Sequence, residues 1–206
     1  MNKTKIDWCD YVFNPVWGCL NHCPYCYARK MAQRFGKSFE PHWVEKNFNT
    51  PMPKEPSRIF VNSMSEIAYW KPEWWGRVIE RIEENPQHAF LFLTKHPQFY
   101  SKRWMPENCW CGVTVTNQAD IDRRLPFDCG SNLAFVSFEP MLGKVDPDSL
   151  CGHGLSWVIL AAETGNRKER VIPPPEWIAP FLYLPIPLYM KHNLPWTGEW
   201  RREYPL

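Results

Sequence analysis

The sequence predicts a single α/β domain built as a partial barrel of parallel strands, of the (β/α)6 TIM-barrel type. Three observations predict it. Short apolar runs of strand length recur at 58–63, 88–94, 108–117, 133–140 and 157–163. Segments of helical period or loop composition separate them, the alternation that a parallel sheet requires. The runs end in polar residues, at 62–66, Thr94-Lys95, 114–118, Ser137 and Glu139, and 163–166, with Lys191 after a last run. Those are C-terminal strand ends, where parallel barrels gather their sites. Six or seven such units in about 190 residues predict a partial barrel rather than a closed eightfold one.

Each element has a local reason. Residues 1–18 read as a short first strand, and Gly18 lets the backbone turn tightly after it. Ala28, Met31, Ala32 and Phe35 fall at i, i+3, i+4 and i+7, one helical face, and Gly36 is a stop. The segment 37–57 is rich in Pro, Asn and Phe and reads as an irregular insertion. A second strand covers 58–63. Pro72 opens a helix whose face is Trp75, Val78, Ile79 and Ile82, and Asn85-Pro86 closes it. The third strand is 88–94, followed by a short helical stretch near 97–103. The fourth is 108–117, with a short helix near 118–124. The fifth is 133–140, then a loop over 141–154. The sixth is 157–163. A helix over 175–182 leads to a seventh strand at 186–191, whose two prolines predict an edge position. The single domain spans 1–206, and 192–206 form a C-terminal extension.

Composition bounds the function. With 44% hydrophobic residues among 206, the chain can bury a full core and is not disordered. A formal charge of +2 makes no electrostatic case for nucleic acid or a membrane surface. The 12 tryptophans and 21 prolines imply a wall of large side chains and many fixed turns. The first ten residues are polar and charged, and no apolar run reaches the roughly 20 residues of a membrane span. The expected location is the cytoplasm, with no membrane partner. There thiols stay reduced, so eight cysteines point to metal or catalytic use rather than disulfides.

The chemistry concentrates in 18–28. Cys19, Cys23 and Cys26 lie within eight residues as C-x3-C-x2-C, with Tyr25 just before the last. A [4Fe–4S] cube takes four thiolates, so three leave one iron open to a chelating ligand. Zinc is the rival reading, because Cys9 can complete a four-cysteine site with the same three.

The motif C-x3-C-x-aromatic-C resembles the signature of the radical S-adenosylmethionine (radical SAM) superfamily, whose core is a partial barrel with this loop after its first strand. Asp7-Trp8, Asn14-Pro15, Gly18-Cys19, Cys26-Tyr27-Ala28, 60–65, Leu93-Thr94-Lys95, 112–115, Phe138-Glu139-Pro140 and Gly198-Glu199-Trp200 recur in order. Together they look like a phage and bacterial radical SAM family of unknown function (phage Gp37/Gp68-like). The resemblance implies a [4Fe–4S] cluster on Cys19, Cys23 and Cys26, in the cluster loop 18–28. It implies S-adenosylmethionine chelating the open iron, an external one-electron reductant, and cleavage to a 5′-deoxyadenosyl radical that abstracts hydrogen from the substrate. By position, Tyr25 would meet the adenine, and Asn62, Ser63, Ser65 and Glu66 the methionine amino group. Thr114, Asn117 and Glu139 would meet the ribose. The usual Gly-Gly-Glu run is absent at 62–66. Cys9 and Ala161-Ala162 also depart from the pattern, the alanines standing where relatives tend to have glycines.

The catalytic residues are not identified by the sequence. Glu163 and Lys191 are the candidates, with an ion pair between them closing the barrel as the plainer reading. Cys109 and Cys111 alternate on one strand, opposite in parity to Thr114 and Thr116. If the threonines face the cavity, the cysteines face the helices. Cys109, Cys111, Cys129 and Cys151 form a possible second metal set. The segment Arg167-Lys168-Glu169-Arg170 reads as a solvated loop, and His22 as exposed. The substrate can be a small molecule, a nucleotide or a partner protein. The alternative to an enzyme is a zinc-stabilised four-cysteine module that binds nucleic acid or protein.

Overall fold

The computed structural model describes residues 1–165 and 167–205, so the strand-end residue Asn166 and the last residue of the extension, Leu206, lie outside the described residues. The segment before the cysteines is three strands rather than one: β1 (Asn2–Lys3), β2 (Tyr11–Val12) and β3 (Val16–Trp17). Asn14 and Pro15 cause the break. Pro15 has no N–H for a ladder. The Asn14 side chain turns away to Ser63 and to the amide of Met64.

Helix α1 (Tyr27–Arg34) buries Ala28 and Ala32, but Phe35 is 66% exposed. The predicted face is one residue too long because the helix stops at Arg34. Phe35 is its C-cap and Gly36, at φ 61°, reverses the chain. The predicted irregular insertion contains β4 (His42–Trp43) and the single turn α2 (Glu45–Phe48). β4 pairs antiparallel with β3 in a separate ribbon, Val16 opposite Trp43.

The barrel proper follows the expected rhythm. β5 (Arg58–Phe60) leads to α3 (Pro72–Glu83), which buries Trp75, Val78, Ile79 and Ile82 as its spacing predicts. Next come β6 (Ala89–Thr94), a 3-10 turn Pro97–Lys102, and β7 (Cys109–Thr114). Then α4 (Gln118–Arg124), β8 (Leu133–Phe138), a 3-10 turn Pro147–Leu150 and β9 (Leu155–Leu160) follow. α5 (Pro175–Ile178) continues as the turn Ala179–Tyr183 and delivers β10 (Leu188–Met190).

β2, β5, β6, β7, β8, β9 and β10 are parallel neighbours in chain order, with β1 antiparallel on the outer side of β2. β10 makes no ladder with β2 among the described residues, so the barrel is partial. Alternation along each strand sorts two cores. Ile59, Phe90, Phe92, Val113, Val136 and Val158 pack outward on the helices, with Cys109 and Cys111 among them as parity predicts. Phe60, Leu91, Phe135, Trp157, Ile159 and Tyr189 fill the interior. Gly112 makes room there, since a Cβ would stand 2.3 Å from the Phe135 ring.

Residues 6–9 fill the open side. Trp8, fully buried, joins the interior cluster, 4.8 Å from the Phe60 ring. Asp7 laces the two edges together. Its carbonyl accepts from Tyr189 Oη (2.9 Å), and its carboxylate accepts from the amide and Nδ1 of His192. The C-terminal extension closes the bottom. Residues 201–203 run antiparallel along β10, and Tyr204 packs on Trp157 and Tyr189, with Arg58 3.8 Å over its ring. Among the described residues no helix is long and apolar enough to cross a membrane.

Candidate functional site

With the lower end plugged by aromatic rings, the C-terminal ends of the strands frame a cavity of about 360 Å³. Cys19, Cys23 and Cys26 all line it. Their loop is held by its own backbone. Gly18 adopts φ 101° and donates its amide to Met64 O, while Cys19 donates to Phe39 O. A side chain at 18 is excluded, because a Cβ would stand 2.2 Å from the Glu40 carbonyl. Cys26 is the N-cap of α1, its Sγ accepting from Arg29 N at 3.4 Å. The first turn of α1 carries no acid, so its positive end is left for the sulfur. Cys19 Sγ accepts from Asn21 N at 3.4 Å, and the Arg29 guanidinium donates to the Cys19 carbonyl.

Burial pushes the Cys19 thiol up to about 11, and the nearby charges of Glu66, Cys23 and Cys26 act in the same direction. Three such thiols ionise together only when a cation compensates them, which is how metal binding releases protons. Among the described residues no three His, Cys, Asp or Glu side chains converge as a single metal ion requires. Cys9 does not line the cavity. It sits in the interior cluster and borders a hollow with Arg58 and Ala89, the first residues of β5 and β6. The outward-facing Cys111 is in hydrogen-bond contact with Cys129.

The loop is fixed to the sheet through Asn21, which sequence reading did not single out. Asn21 Oδ1 accepts from Tyr69 Oη at 2.6 Å and lies 2.8 Å from His96 Nε2, and its Nδ2 donates to Glu66 at 3.3 Å. Glu66, 4% exposed, also accepts from the Thr94 hydroxyl and from Lys95 N at 3.0 Å. The carboxylate therefore ties the cysteine loop to the end of β6. A buried acceptor left without such donors costs about 1–3 kcal/mol.

The other expected site residues separate into two groups. Tyr25, Asn62, Ser63, Ser65, Glu66, Thr114, Glu139, Glu163 and Lys191 line the cavity. Asn117 does not; its side chain caps α4 by accepting from Asp120 N at 3.1 Å. Several lining residues also have structural partners. Asn62 bridges β5 and β6 through Leu93 N and O, and Ser65 Oγ accepts from Trp70 Nε1 at 3.1 Å. Burial raises the Tyr25 phenol well above its ordinary value, and the Cys23 thiol beside it adds to the shift.

The ion pair expected between Glu163 and Lys191 is not formed. Glu163 is gripped by both arms of Arg167, at 2.7 and 2.8 Å, and Lys191 pairs with Glu139. The reason is reach. Arg167 follows Glu163 four residues on in one loop, so the loop read as solvated supplies the partner. Glu139 ends the same β8 face that points at Lys191. The Arg167 fork lowers the Glu163 carboxyl below its ordinary value against the opposing effect of burial, helped by the Val171 amide. Glu139 also accepts from Trp8 Nε1 at 3.1 Å. Trp8, Tyr27 and Lys95 are further lining residues that sequence reading gave no site role. For Lys95 its strand-end position was the available signal; for Trp8 there was none, since Glu139 is 131 residues away.

No curated protein sequence matches the chain. Among solved structures the fold is similar to that of spore photoproduct lyase, matched in three forms. One is a single-site mutant (16% identity, TM-score 0.51), and one is a complex with dinucleoside spore photoproduct (15%, 0.51). The third is a double mutant with bound AdoMet and the same dinucleoside (15%, 0.52). Each match covers 78% of this chain and 58% of the lyase, so the chain spans little more than half of that protein. The likeness is one of fold, a half-barrel of parallel strands. In sequence, residues 3–181 match the family described as Protein of unknown function (DUF5131), and the chain belongs to that family.

Proposed function

We propose that this protein is a radical SAM enzyme, with a [4Fe–4S] cluster held by Cys19, Cys23 and Cys26 and S-adenosylmethionine bound beside it. The observation that carries this reading is the position of the three thiols. They share one wall of the cavity at the C-terminal mouth of the half-barrel, without converging on one point. A single zinc ion needs its ligands around one centre, whereas a cube distributes three thiolates over three irons. The likeness to a lyase solved with AdoMet bound supports the same cofactor here. The motif series supports kinship with the phage Gp37/Gp68-like radical SAM family.

When bound, the cluster and S-adenosylmethionine supply reductive cleavage of the sulfonium and a 5′-deoxyadenosyl radical for hydrogen abstraction. The chain does the rest. Asn21 and Glu66 hold the loop in register. Asn62, Ser63 and Ser65 offer oxygens and amides beside the cysteines for the methionine end, Tyr25 a ring for the adenine, and Thr114 and Glu139 acceptors for the ribose. Trp8, Phe60 and the Tyr204 plug exclude water from below. Glu163 and Lys191 face the substrate side as candidate catalytic groups, each already neutralised by a partner. Eight free cysteines suit a reducing cytoplasm. The substrate, a small molecule, nucleotide or partner protein, enters at the strand ends of a single domain.

The test is electron paramagnetic resonance on anaerobically reconstituted, dithionite-reduced protein, with and without S-adenosylmethionine. A [4Fe–4S]+ signal that shifts on addition is expected. Tightly held zinc and no iron signal would replace the reading with the zinc module. That module would then need a fourth ligand other than Cys9, which lies outside the cavity.

A further inference from the structure

The chain between Asp10 and Glu40 contains no acidic residue, yet it carries Arg29, Lys30, Arg34 and Lys37 and the whole cysteine loop. Arg29 turns inward to the Cys19 carbonyl and over the Phe39 ring. Lys30, Arg34 and Lys37 stand exposed. Among the described residues none of these three has a carboxylate within ion-pair distance. The nearest acid whose charge reaches Lys30 is Glu163, and Arg167 already holds it. Within this cationic surface two apolar side chains are exposed, Phe35 at 66% and Leu20 at 40%. Leu20 lies between two of the cysteines, and so does the exposed His22, at φ 51°. The helix rises about 1.5 Å per residue, so Lys30 and Arg34 stand roughly 6 and 12 Å along the axis from its cap, Cys26.

An uncompensated cationic rim around an exposed aromatic has the composition of a transient protein interface. Nothing in the fold uses it: α1 is anchored by Ala28 and Ala32 on its other face. Its place beside the loop that holds the cysteines selects the occupant. We infer that the face formed by Leu20, Lys30, Arg34, Phe35 and Lys37 docks a small acidic one-electron carrier protein, which reduces the site through the cysteine loop. The inference rests on the radical SAM reading. One electron leaves the reduced carrier and enters the cluster, with no proton or group transferred. The carrier's carboxylates meet the three cations, and Phe35 gives the contact its apolar centre.

The experiment compares two reductants on the reconstituted protein. Reduced flavodoxin serves as the acidic carrier and dithionite as the small reductant that needs no docking. The variant is the triple charge reversal Lys30→Glu, Arg34→Glu, Lys37→Glu. Its exposed positions leave the fold intact, as a circular dichroism melt checks. 5′-Deoxyadenosine formation is the rate readout, and calorimetric titration with oxidised flavodoxin gives affinity independently of turnover.

The expected result is a flavodoxin-driven rate and affinity at least about tenfold lower in the variant. The dithionite-driven rate stays within about twofold, because a small reductant needs no docked complex and surface charge is screened by salt. Lys30→Arg with Lys37→Arg keeps the wild-type values, and added salt weakens the wild-type interaction. Equal flavodoxin affinity and rate in wild type and variant would overturn the docking face while leaving the enzyme reading in place. No deoxyadenosine with dithionite would overturn the enzyme reading, and the docking inference would fall with it.

Discussion

Glu66 is the residue on which the site's geometry turns. Four donors reach its carboxylate: Asn21 Nδ2, the Thr94 hydroxyl, Lys95 N and Ala68 N. Glu66→Gln keeps the shape but replaces one accepting oxygen with an NH2 that faces donors. The expected cost is about 2 kcal/mol, read as a lower urea midpoint, from donors left without an acceptor. Glu66→Asp, which keeps both accepting oxygens, should lose less. The three cysteines were legible from spacing alone, because ligand number is a property of a short loop. Glu66 was legible as a polar strand end, but its partners were not, since they come from residues 21 and 94–95. Asn117 shows the converse. A polar residue just past a strand is equally suited to face the cavity or to cap the next helix, and here it caps α4.

At the scale of elements, α3 and α1 make an instructive pair. Both show an i, i+3, i+4, i+7 apolar pattern, but only α3 buries all four residues. α3 lies along the sheet, with Ile82 fully buried near its end. α1 touches only a small satellite cluster through Ala28 and Ala32, and its fourth apolar residue passes beyond the last turn. Ile82→Ala should therefore destabilise the protein by about 2–5 kcal/mol. Phe35→Ala should change stability by less than about 0.5 kcal/mol, as for a surface substitution. Paired denaturant titrations check both. A loss at Phe35 comparable to that at Ile82 would mean α1 packs on its exposed side. Strand existence was legible from runs of Val, Ile and Phe. The ribbon of β3 and β4 was not, because its two strands are two residues each and their pairing spans an insertion.

For the whole molecule the consequential feature is how an open sheet becomes a closed vessel. Residues 6–9 bridge the gap between β2 and β10, and 201–204 cover the last edge and the bottom. Asp7 is the clasp. Burial alone would push its carboxyl up, but the hydrogen bonds from His192 and the charges of Lys191 and His192 outweigh it, leaving it below its ordinary value. A carboxyl lowered in the folded state contributes stability that is complete above its unfolded pKa near 3.8 and is lost as pH falls through the folded one. Asp7→Asn should therefore cost about 1 kcal/mol at neutral pH, the worth of a typical hydrogen bond. The gap to wild type should narrow below pH 3.8. Urea midpoints across pH check this; a constant gap would mean that Asp7 acts by packing alone.

The sequence by itself determined the strand–helix alternation, the outward parity of Cys109 and Cys111 and the three-cysteine loop, because periodicity and ligand spacing are local. The tertiary structure alone decided which charges pair, Glu163 with Arg167 and Lys191 with Glu139. It alone decided that Cys9 stands apart from the other three and that residues at the two ends of the chain close the barrel. Those outcomes depend on which side chains the sheet's curvature brings within a few ångströms, and no spacing along the chain encodes a contact between residues 7 and 192.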